Sequence, residues 1–388
     1  MKRETRLCHY GQPARPGPAN PPVVHASTIL HDTVQSYRAT KQARESDDGV
    51  LSYGRRGTTT AHALMAAIAD LEGGEGAWVF PSGVAAIAAT LTALLRPGDH
   101  LLLVDTIFGA TRSCCDEVLS EFGITYDLFP SEVTDIRPYV TPLTRMVFVE
   151  SPGSQTYEVM DLPALCDWAR AAGVMVVADN TYGSGWLYRP LELGCDVSVI
   201  AGTKYLSGHA DVMMGAVSAR GDAAAKIRKL AHMTGQTLAP DEAYATLRGM
   251  RTLPLRLERH DSNARALCDW FAARAEVLRV LSPTLPDHPG HAIWARDASG
   301  GNGLLSVVFA PGFDAEALLN TLQLFGVGSS WGGFESLAMP IAPERTRASL
   351  CGLPETAPIV RFHAGLEHID DLLADLEAAF AALAQHGS

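Results

Sequence analysis

The sequence predicts an α/β protein built on a mainly parallel sheet, and two features of the chain lead to this class. From about residue 60 onward, short apolar blocks alternate with helical stretches, a pattern typical of a parallel sheet flanked by helices. After about residue 245 this alternation gives way to a long charged helical stretch followed by further strands. We therefore expect a large α/β domain and a smaller C-terminal α+β domain.

The chain divides into three predicted parts, at residues 1–50, 51–245 and 246–388. The first part is rich in proline, arginine and polar residues, and we expect an extended arm packed on another surface. The predicted strands of the second part are 77–80, 100–105, 146–150, 174–179 and 197–201. A predicted helix over 161–170 has Asp161 as its N-cap and Pro163 in its first turn. In the third part, strands at 304–309 and 359–362 precede an amphipathic helix at 369–383.

Composition and charge exclude several classes of function. The 388 residues include 31 Lys and Arg against 43 Asp and Glu, a net charge of −12 without a basic run, so nucleic acid is not an expected partner. The N-terminal segment lacks the apolar stretch of a secretory signal, and we expect a cytoplasmic protein. Residues 76–95 are uncharged, but Pro81-Ser82-Gly83 divides them into a strand and a helix, so no membrane span is expected. The seven scattered cysteines are expected to be reduced thiols.

Polar residues at the ends of predicted strands indicate a site at the carboxyl edge of the sheet. Asp179 ends one strand and Lys204 follows another, while Gly83 opens a helix whose amides could bind a phosphate. An acid, an amine and an anion site together fit pyridoxal 5'-phosphate (PLP), whose aldehyde reacts with an amine. Taken singly, these residues are more often a helix cap, a solvated lysine and a turn.

Other catalytic motifs are absent or incomplete. No phosphate-binding loop of the G-x-x-x-x-G-K-[ST] type and no H-E-x-x-H motif occur, and we expect no metal site. Residues 328–332 match G-x-S-x-G, which would make Ser330 the nucleophile of a serine hydrolase. That motif needs a helix directly after it, whereas the following segment is short and ends in Pro340. A serine hydrolase therefore stays as an alternative interpretation.

Seven sequence blocks, in this order, resemble the Cys/Met metabolism family of fold-type I PLP enzymes. The blocks lie at 53–58, 71–74, 150–154, 179–181, 202–209, 331–336 and 361–367 and so extend over most of the chain. The resemblance implies a seven-stranded type of sheet in the large domain. It also implies PLP as the cofactor and an amino-acid thioether as the substrate.

The resemblance assigns cofactor roles to individual residues. It makes Lys204 the residue that binds PLP covalently and Asp179 the partner of the ring nitrogen, which lets the ring withdraw electrons. The phosphate would be held within the subunit by Gly83, Val84 and Thr203. Tyr53 and Arg55 would reach the site from a neighbouring subunit, Tyr53 also contacting substrate as a catalytic residue. A homotetramer is therefore expected.

Substrate roles follow from the same resemblance. Arg361 would bind the substrate α-carboxylate, and Ser336 would position Lys204 or substrate. Trp331 matches a tryptophan of the family's β-lyases, so we expect β-elimination of L-cystathionine to homocysteine, pyruvate and ammonia, with cystine as a further substrate. The alternatives are a γ-lyase or γ-synthase of the same family and a non-catalytic relative. Without the motif, a buried ion pair would be favoured for Arg361 and a core position for Trp331.

Two positions depart from the family pattern, and a third bears on the choice of reaction. Phe108 stands where a tyrosine usually covers the PLP ring, which keeps the stacking surface and loses the hydroxyl. Ala201 replaces a usual serine, which removes one phosphate hydrogen bond worth about 0.5–1.5 kcal/mol. Ala110 lacks the cysteine found beside the ring in methionine γ-lyases, which disfavours that activity.

Overall fold

Helices and strands alternate through most of the chain in the computed structural model, which describes residues 1–13, 16–344 and 347–386. The α-helices are α1 (Arg3–His9), α2 (Val34–Ala43), α3 (Thr59–Glu72), α4 (Gly83–Leu94), α5 (Gly109–Cys114), α6 (Leu162–Ala172), α7 (Gly221–Thr234), α8 (Pro240–Met250), α9 (Leu253–Ala272), α10 (His291–Asp297), α11 (Ala315–Thr321) and α12 (Ile369–His386). The strands are β1 (Gly76–Phe80), β2 (His100–Val104), β3 (Thr125–Phe129), β4 (Thr144–Glu150), β5 (Met175–Asp179), β6 (Val197–Ile200), β7 (Gly215–Ala219), β8 (Val277–Leu281), β9 (Leu304–Phe309), β10 (Gly326–Val327), β11 (Leu337–Ile341) and β12 (Ile359–His363).

The larger sheet has seven strands in the order β1-β7-β6-β5-β4-β2-β3. Strand β7 runs antiparallel to both of its neighbours, and every other pair in this sheet is parallel. The predicted mainly parallel seven-stranded sheet is therefore confirmed. The register pairs Glu150 with Asp179, so the carboxyl ends of β4 and β5 meet at one edge of the sheet.

The apolar blocks of the large domain became strands where prediction placed them, but two strands were missed. Strand β7, Gly215 to Ala219, consists mostly of small residues and has Val217 as its single β-branched residue, so its strand signal is weak. Strand β3 lies at the sheet edge, and Phe129 is the one buried residue among its five. The uncharged stretch at 76–95 forms β1 and α4, as predicted. None of the helices that the structure describes combines the length and apolar composition needed to cross a bilayer.

Local capping explains where the helices near the site begin. Ser82 precedes α4 and its Oγ accepts the Ala85 amide at 3.1 Å. Asp161 precedes α6 and accepts the Ala164 amide at 3.2 Å, with proline in the first turn as predicted. These caps satisfy helix amides that have no partner within the helix.

The smaller sheet has the strand order β10-β11-β12-β9-β8 and is antiparallel except for β10 and β11. Strands β9 and β12 and helix α12 match prediction, whereas β8, β10 and β11 were not predicted. Helix α9 connects the two domains, because Leu257 packs in the core of the large domain and Leu267 in that of the small one. The division at 245/246 stays a prediction.

The N-terminal arm is only partly extended, which corrects the prediction. It contains α1 and α2, and Thr33 begins α2 through a reciprocal capping box with Ser36. Leu7 is buried in the core of this same chain, and Arg6 Nε lies 2.8 Å from Asp70 Oδ2. All seven cysteines lie in the described part of the chain and are free thiols.

Candidate active site

The N-terminus of α4 forms one wall of the candidate site. The amides of Gly83 and Val84 lie before the first hydrogen-bonded turn, and neither donates to a described group. Free amides and the positive end of the helix dipole favour an anion such as phosphate. The structure thus places both predicted phosphate ligands at one helix end.

Gly83 lies directly against the segment that carries Lys204. A Cβ atom at position 83 would lie 2.7 Å from Ala201 Cβ and 3.2 Å from Ala201 Cα. The Ala201 backbone is itself fixed, since its amide donates to Thr181 Oγ1 at 2.9 Å. The missing side chain at Gly83 therefore lets the helix N-terminus approach the Lys204 turn.

Thr203 fastens the Lys204 turn to the segment before β7. Its hydroxyl donates to the Met214 carbonyl at 3.0 Å and accepts the Met214 amide at 2.9 Å. The sequence did not predict this contact. The phosphate contact proposed for Thr203 stays a prediction.

Asp179 ends β5 as a buried carboxylate with one oxygen engaged. Its Oδ1 accepts the Thr181 amide at 2.9 Å and the Thr181 hydroxyl at 2.5 Å. Burial raises the pKa of Asp179, while the two Thr181 bonds oppose that shift. Its Oδ2 accepts from no described group, and no described cation pairs with Asp179. The site therefore suits a ligand that brings a cationic N–H.

Lys204 presents an amine of reduced basicity between Ser330 and Trp331. Its Nζ donates to Ser330 Oγ at 2.9 Å and lies 5.3 Å from the centroid of the Trp331 ring. Burial, and secondarily the positive charge of Arg361, lowers the pKa of Lys204 to about 8. About a tenth of the amine is then neutral at pH 7, so it can act as nucleophile or base.

Arg361 is a half-buried guanidinium on β12 without a carboxylate partner among the described residues. Its Nη2 donates to the Ser330 carbonyl at 3.1 Å and lies 2.9 Å from Met339 Sδ. Burial lowers the pKa of Arg361. Because a buried cation without an acid is costly, the position favours an incoming carboxylate.

Phe108 and Glu150 border the site on the side of β4. The Phe108 ring is 44% exposed, so its face is open to a ligand. The Phe108 amide donates to Glu150 Oε2 at 2.7 Å. Burial, and then the charge of Asp179, raises the pKa of Glu150 well above its usual value. Sequence reasoning did not identify Glu150 as a site residue, although its position at a strand end was a usable signal.

The structure does not bring the Ser336 hydroxyl to Lys204, while the predicted contact of Ser336 with substrate stays a prediction. Ser336 is buried, its hydroxyl donates to Glu367 Oε2 at 2.9 Å, and that hydroxyl accepts the Gly365 amide at 2.8 Å. The hydroxyl that contacts Lys204 belongs to Ser330. Both serines lie in one loop, and spacing alone did not show which one faces the lysine.

The serine hydrolase interpretation of Ser330 lacks its structural context. The described segment after Ser330 leads into strand β11 and not into a helix. The partner of its hydroxyl is Lys204, and not a histidine. The match to G-x-S-x-G is therefore accidental.

Tyr53 and Arg55 make no described contact with Lys204 within the chain. Tyr53 is 42% exposed, and the Arg55 guanidinium lies 5.9 Å from the centroid of its ring. Arg55 Nη1 donates to the His232 carbonyl at 2.7 Å. Both side chains thus belong to an open surface near the end of α7.

The chain is similar over nearly its whole length to known PLP-dependent enzymes. The family model described as Cys/Met metabolism PLP-dependent enzyme matches residues 4–381. A relative from Rhizobium johnstonii named putative cystathionine beta-lyase is 40% identical, covering 97% of this chain and 96% of its own. An L-methionine gamma-lyase from Pseudomonas deceptionensis is 37% identical, with coverage of 98% and 97%. The crystal structure of metB from Corynebacterium glutamicum superposes with a TM-score of 0.88 at 30% identity, covering 99% of this chain and 98% of that one.

Proposed function

Because the chain belongs to the Cys/Met metabolism PLP-dependent enzyme family, we propose that it is a carbon–sulfur lyase that cleaves L-cystathionine to homocysteine, pyruvate and ammonia. The observation that carries this proposal is the Lys204 amine, whose pKa is lowered to about 8 and whose Nζ is held by Ser330 under Trp331. The cystathionine beta-lyase name of the Rhizobium relative supports the choice of substrate.

The residues of the site fit PLP at three parts of the cofactor: its phosphate, its ring nitrogen and its aldehyde. The open amides of Gly83 and Val84 suit its phosphate, and the close approach to Ala201 leaves space for no side chain there. The free oxygen of Asp179 suits a protonated ring nitrogen, and Lys204 supplies the amine for covalent attachment. When bound, PLP supplies an electron sink that stabilises negative charge at the substrate Cα.

The reaction steps then fall to side chains of this protein. Arg361 binds the substrate α-carboxylate, which fixes the Cα–H bond relative to Lys204. The neutral form of Lys204 takes the Cα proton, and Ser330 orients Nζ by accepting one of its hydrogens. The thiolate of homocysteine leaves from Cβ, and one water molecule hydrolyses the remaining three-carbon unit to pyruvate and ammonia.

The surroundings of the Lys204 amine favour β-elimination over γ-chemistry, because the described histidines near Trp331 are fully buried and Trp331 itself fills space. γ-Elimination also removes a Cβ proton, which takes either a second base or a second transfer by the same lysine. The histidines beside Trp331 are engaged with the backbone, since His260 Nδ1 lies 2.7 Å from the Ala364 carbonyl and His363 accepts the Gly332 amide. Burial lowers the pKa of His260 to about 4. Trp331, packed 5.4 Å from Tyr205, also fills space beside the amine.

The identity of the products tests this function. Purified enzyme with L-cystathionine is expected to release pyruvate and homocysteine, which mass spectrometry separates from other products. Release of 2-oxobutyrate and cysteine instead would identify a γ-lyase and reject the β assignment. L-Methionine serves as the control substrate, because only a γ-lyase cleaves it.

We further propose a cytoplasmic homotetramer in which Tyr53 and Arg55 complete the site of a neighbouring subunit. Support comes from the lack of a described contact between these two residues and Lys204 in the chain, and from the exposed Tyr53 ring. Mixing two inactive variants, Tyr53→Ala and Lys204→Ala, tests this arrangement. Mixed oligomers are expected to regain part of the activity, because some sites then hold an intact set. No recovery in a confirmed mixed oligomer would show that both residues act within one subunit.

A further inference from the structure

Strand β12 holds the turn 330–332 at both of its ends. Arg361 Nη2 donates to the Ser330 carbonyl at 3.1 Å, and the Gly332 amide donates to His363 Nε2 at 3.0 Å. Arg361 and His363 are two residues apart on one strand, so they lie on the same face. The turn is therefore fixed by one donor and one acceptor from a single rigid element.

This turn packs directly on the backbone of Lys204. Gly332 has φ +86°, and a Cβ atom there would lie 2.9 Å from Lys204 C and from Tyr205 N. The two preceding residues supply the contacts to the amine, the Ser330 hydroxyl at 2.9 Å and the Trp331 ring at 5.3 Å. A small displacement of the turn would thus alter both the orientation and the solvation of Nζ.

His363 is held in a single protonation state. It is 1% exposed, and its Nδ1 lies 3.1 Å from the Glu335 carbonyl, so Nδ1 carries the proton and Nε2 stays an acceptor. The His260 and Tyr205 rings lie 5.0 Å and 6.0 Å away. Burial first, then His260, Arg361 and Lys204, lowers the pKa of His363 well below its usual value. The bond to Gly332 therefore persists across the neutral pH range.

We propose that His363 is a positioning residue for Lys204, acting through its bond to the Gly332 amide. The imidazole does not touch the amine or the substrate. It keeps Ser330 and Trp331 against Nζ, which limits access of water to the amine and sets its orientation for proton transfer. The role in proton transfer rests on the proposed β-elimination, whereas the effect on the Lys204 amine does not.

Two substitutions of similar volume separate the effect of the hydrogen-bond acceptor at position 363 from the effect of side-chain packing. His363→Gln retains an acceptor and a donor, whereas His363→Leu removes both and leaves the Gly332 amide unpaired. His260→Gln is the matched control, because His260 is an adjacent buried histidine that is bonded to the Ala364 carbonyl and not to the turn. Both His363 variants lose the ring, so a difference between them reports on hydrogen bonding at this position.

The primary readout is the pKa of Lys204 in the full-length, PLP-free chain. It is obtained from the pH dependence of acetic anhydride labelling, resolved by peptide mass spectrometry; the sequence has only five lysines. Wild type, His363→Gln and His260→Gln are expected to give about 8. His363→Leu is expected to give a higher pKa, because a loosened turn admits water to the amine. An unchanged pKa in His363→Leu, or an equal shift in His363→Gln, would overturn the proposal.

Steady-state kinetics of the holoenzyme give the second readout. With L-cystathionine, His363→Leu is expected to lower kcat about tenfold with little change in KM, and His363→Gln to stay within about threefold of wild type. A loss confined to KM would contradict the positioning role. If His363→Leu fails to fold by circular dichroism, His363→Val takes its place with the same expected results. A wild type that labels as expected but does not cleave cystathionine would reject the β-lyase function and leave the positioning of Lys204 standing.

Discussion

Substitution of Gly83 by alanine tests the close approach that forms the phosphate end of the site. The added Cβ would lie 2.7 Å from Ala201 Cβ, whereas ordinary contacts begin at 3.4 Å, so α4 and the Ala201 segment must separate by 3.4 − 2.7 = 0.7 Å or more. Overpacking of this kind costs about 1–3 kcal/mol. The PLP-free chain relieves it by separating the two segments, and PLP needs them closed, so the cost corresponds to a loss of affinity of about 5- to 150-fold. We expect PLP to bind the Gly83→Ala chain more weakly within that range.

Titration of PLP-free protein with PLP, followed by tryptophan fluorescence, measures this loss. The second variant, Ala201→Gly, removes the clashing Cβ but leaves Ala201 Cα at 3.2 Å, so the double variant should recover affinity only in part. A double-mutant cycle then gives the coupling between the two positions. Wild-type affinity in Gly83→Ala would refute the reasoning, as would a double variant no better than the single one.

Three further outcomes follow from the site. Ser330→Ala should lower kcat/KM for cystathionine about 2- to 10-fold, because one hydrogen bond to Lys204 is lost; complete loss of activity would instead point to a nucleophilic serine. Arg361→Leu should raise KM by about 100-fold or more, because it removes the cation that binds the substrate carboxylate, and Arg361→Lys should raise KM by less. Equal KM values in wild type and both variants would exclude carboxylate binding by Arg361. Lys204→Met should stabilise the PLP-free chain at pH 7 by about 1–3 kcal/mol in urea unfolding, because the folded chain lowers the pKa of this lysine to about 8. Between about pH 8 and 10.5 the unfolded wild-type chain binds more protons than the folded chain, so wild-type stability rises with pH across that window. The extra stability of Lys204→Met over wild type should therefore shrink there. A stability difference that stays constant with pH would contradict the lowered pKa.

The large domain was predictable because its central strands are continuous apolar blocks. Strands β2, β4, β5 and β6 are buried along almost their whole length, so their sequences carry a strong signal. Strand β7 is equally buried but built of small residues, which pack beneath the start of α4 and give no such signal. Strand β11 contains Pro340, which argues against a strand when only the sequence is considered.

The candidate site was predictable where function follows from position at a strand end. Asp179 and Lys204 were found this way, and the family resemblance then added Arg361 from the other domain. Ser330 shows the limit of this reasoning, because its hydroxyl contacts the Lys204 amine although the resemblance pointed to Ser336 in the same loop. His363 lies within a matching block, but its hydrogen bond to the Gly332 amide joins β12 to a turn that is distant in sequence, and the sequence did not predict that contact.

Covalent attachment of the cofactor to Lys204 is the claim on which the rest depends. Borohydride reduction of the holoprotein fixes the imine as a stable amine, and peptide mass spectrometry then locates the modified residue. The geometry of Asp179, Gly83 and Lys204 predicts a phosphopyridoxyl group on the peptide containing Lys204. A modified peptide containing any of the other four lysines instead, or no modified peptide in protein that contains PLP, would contradict this account.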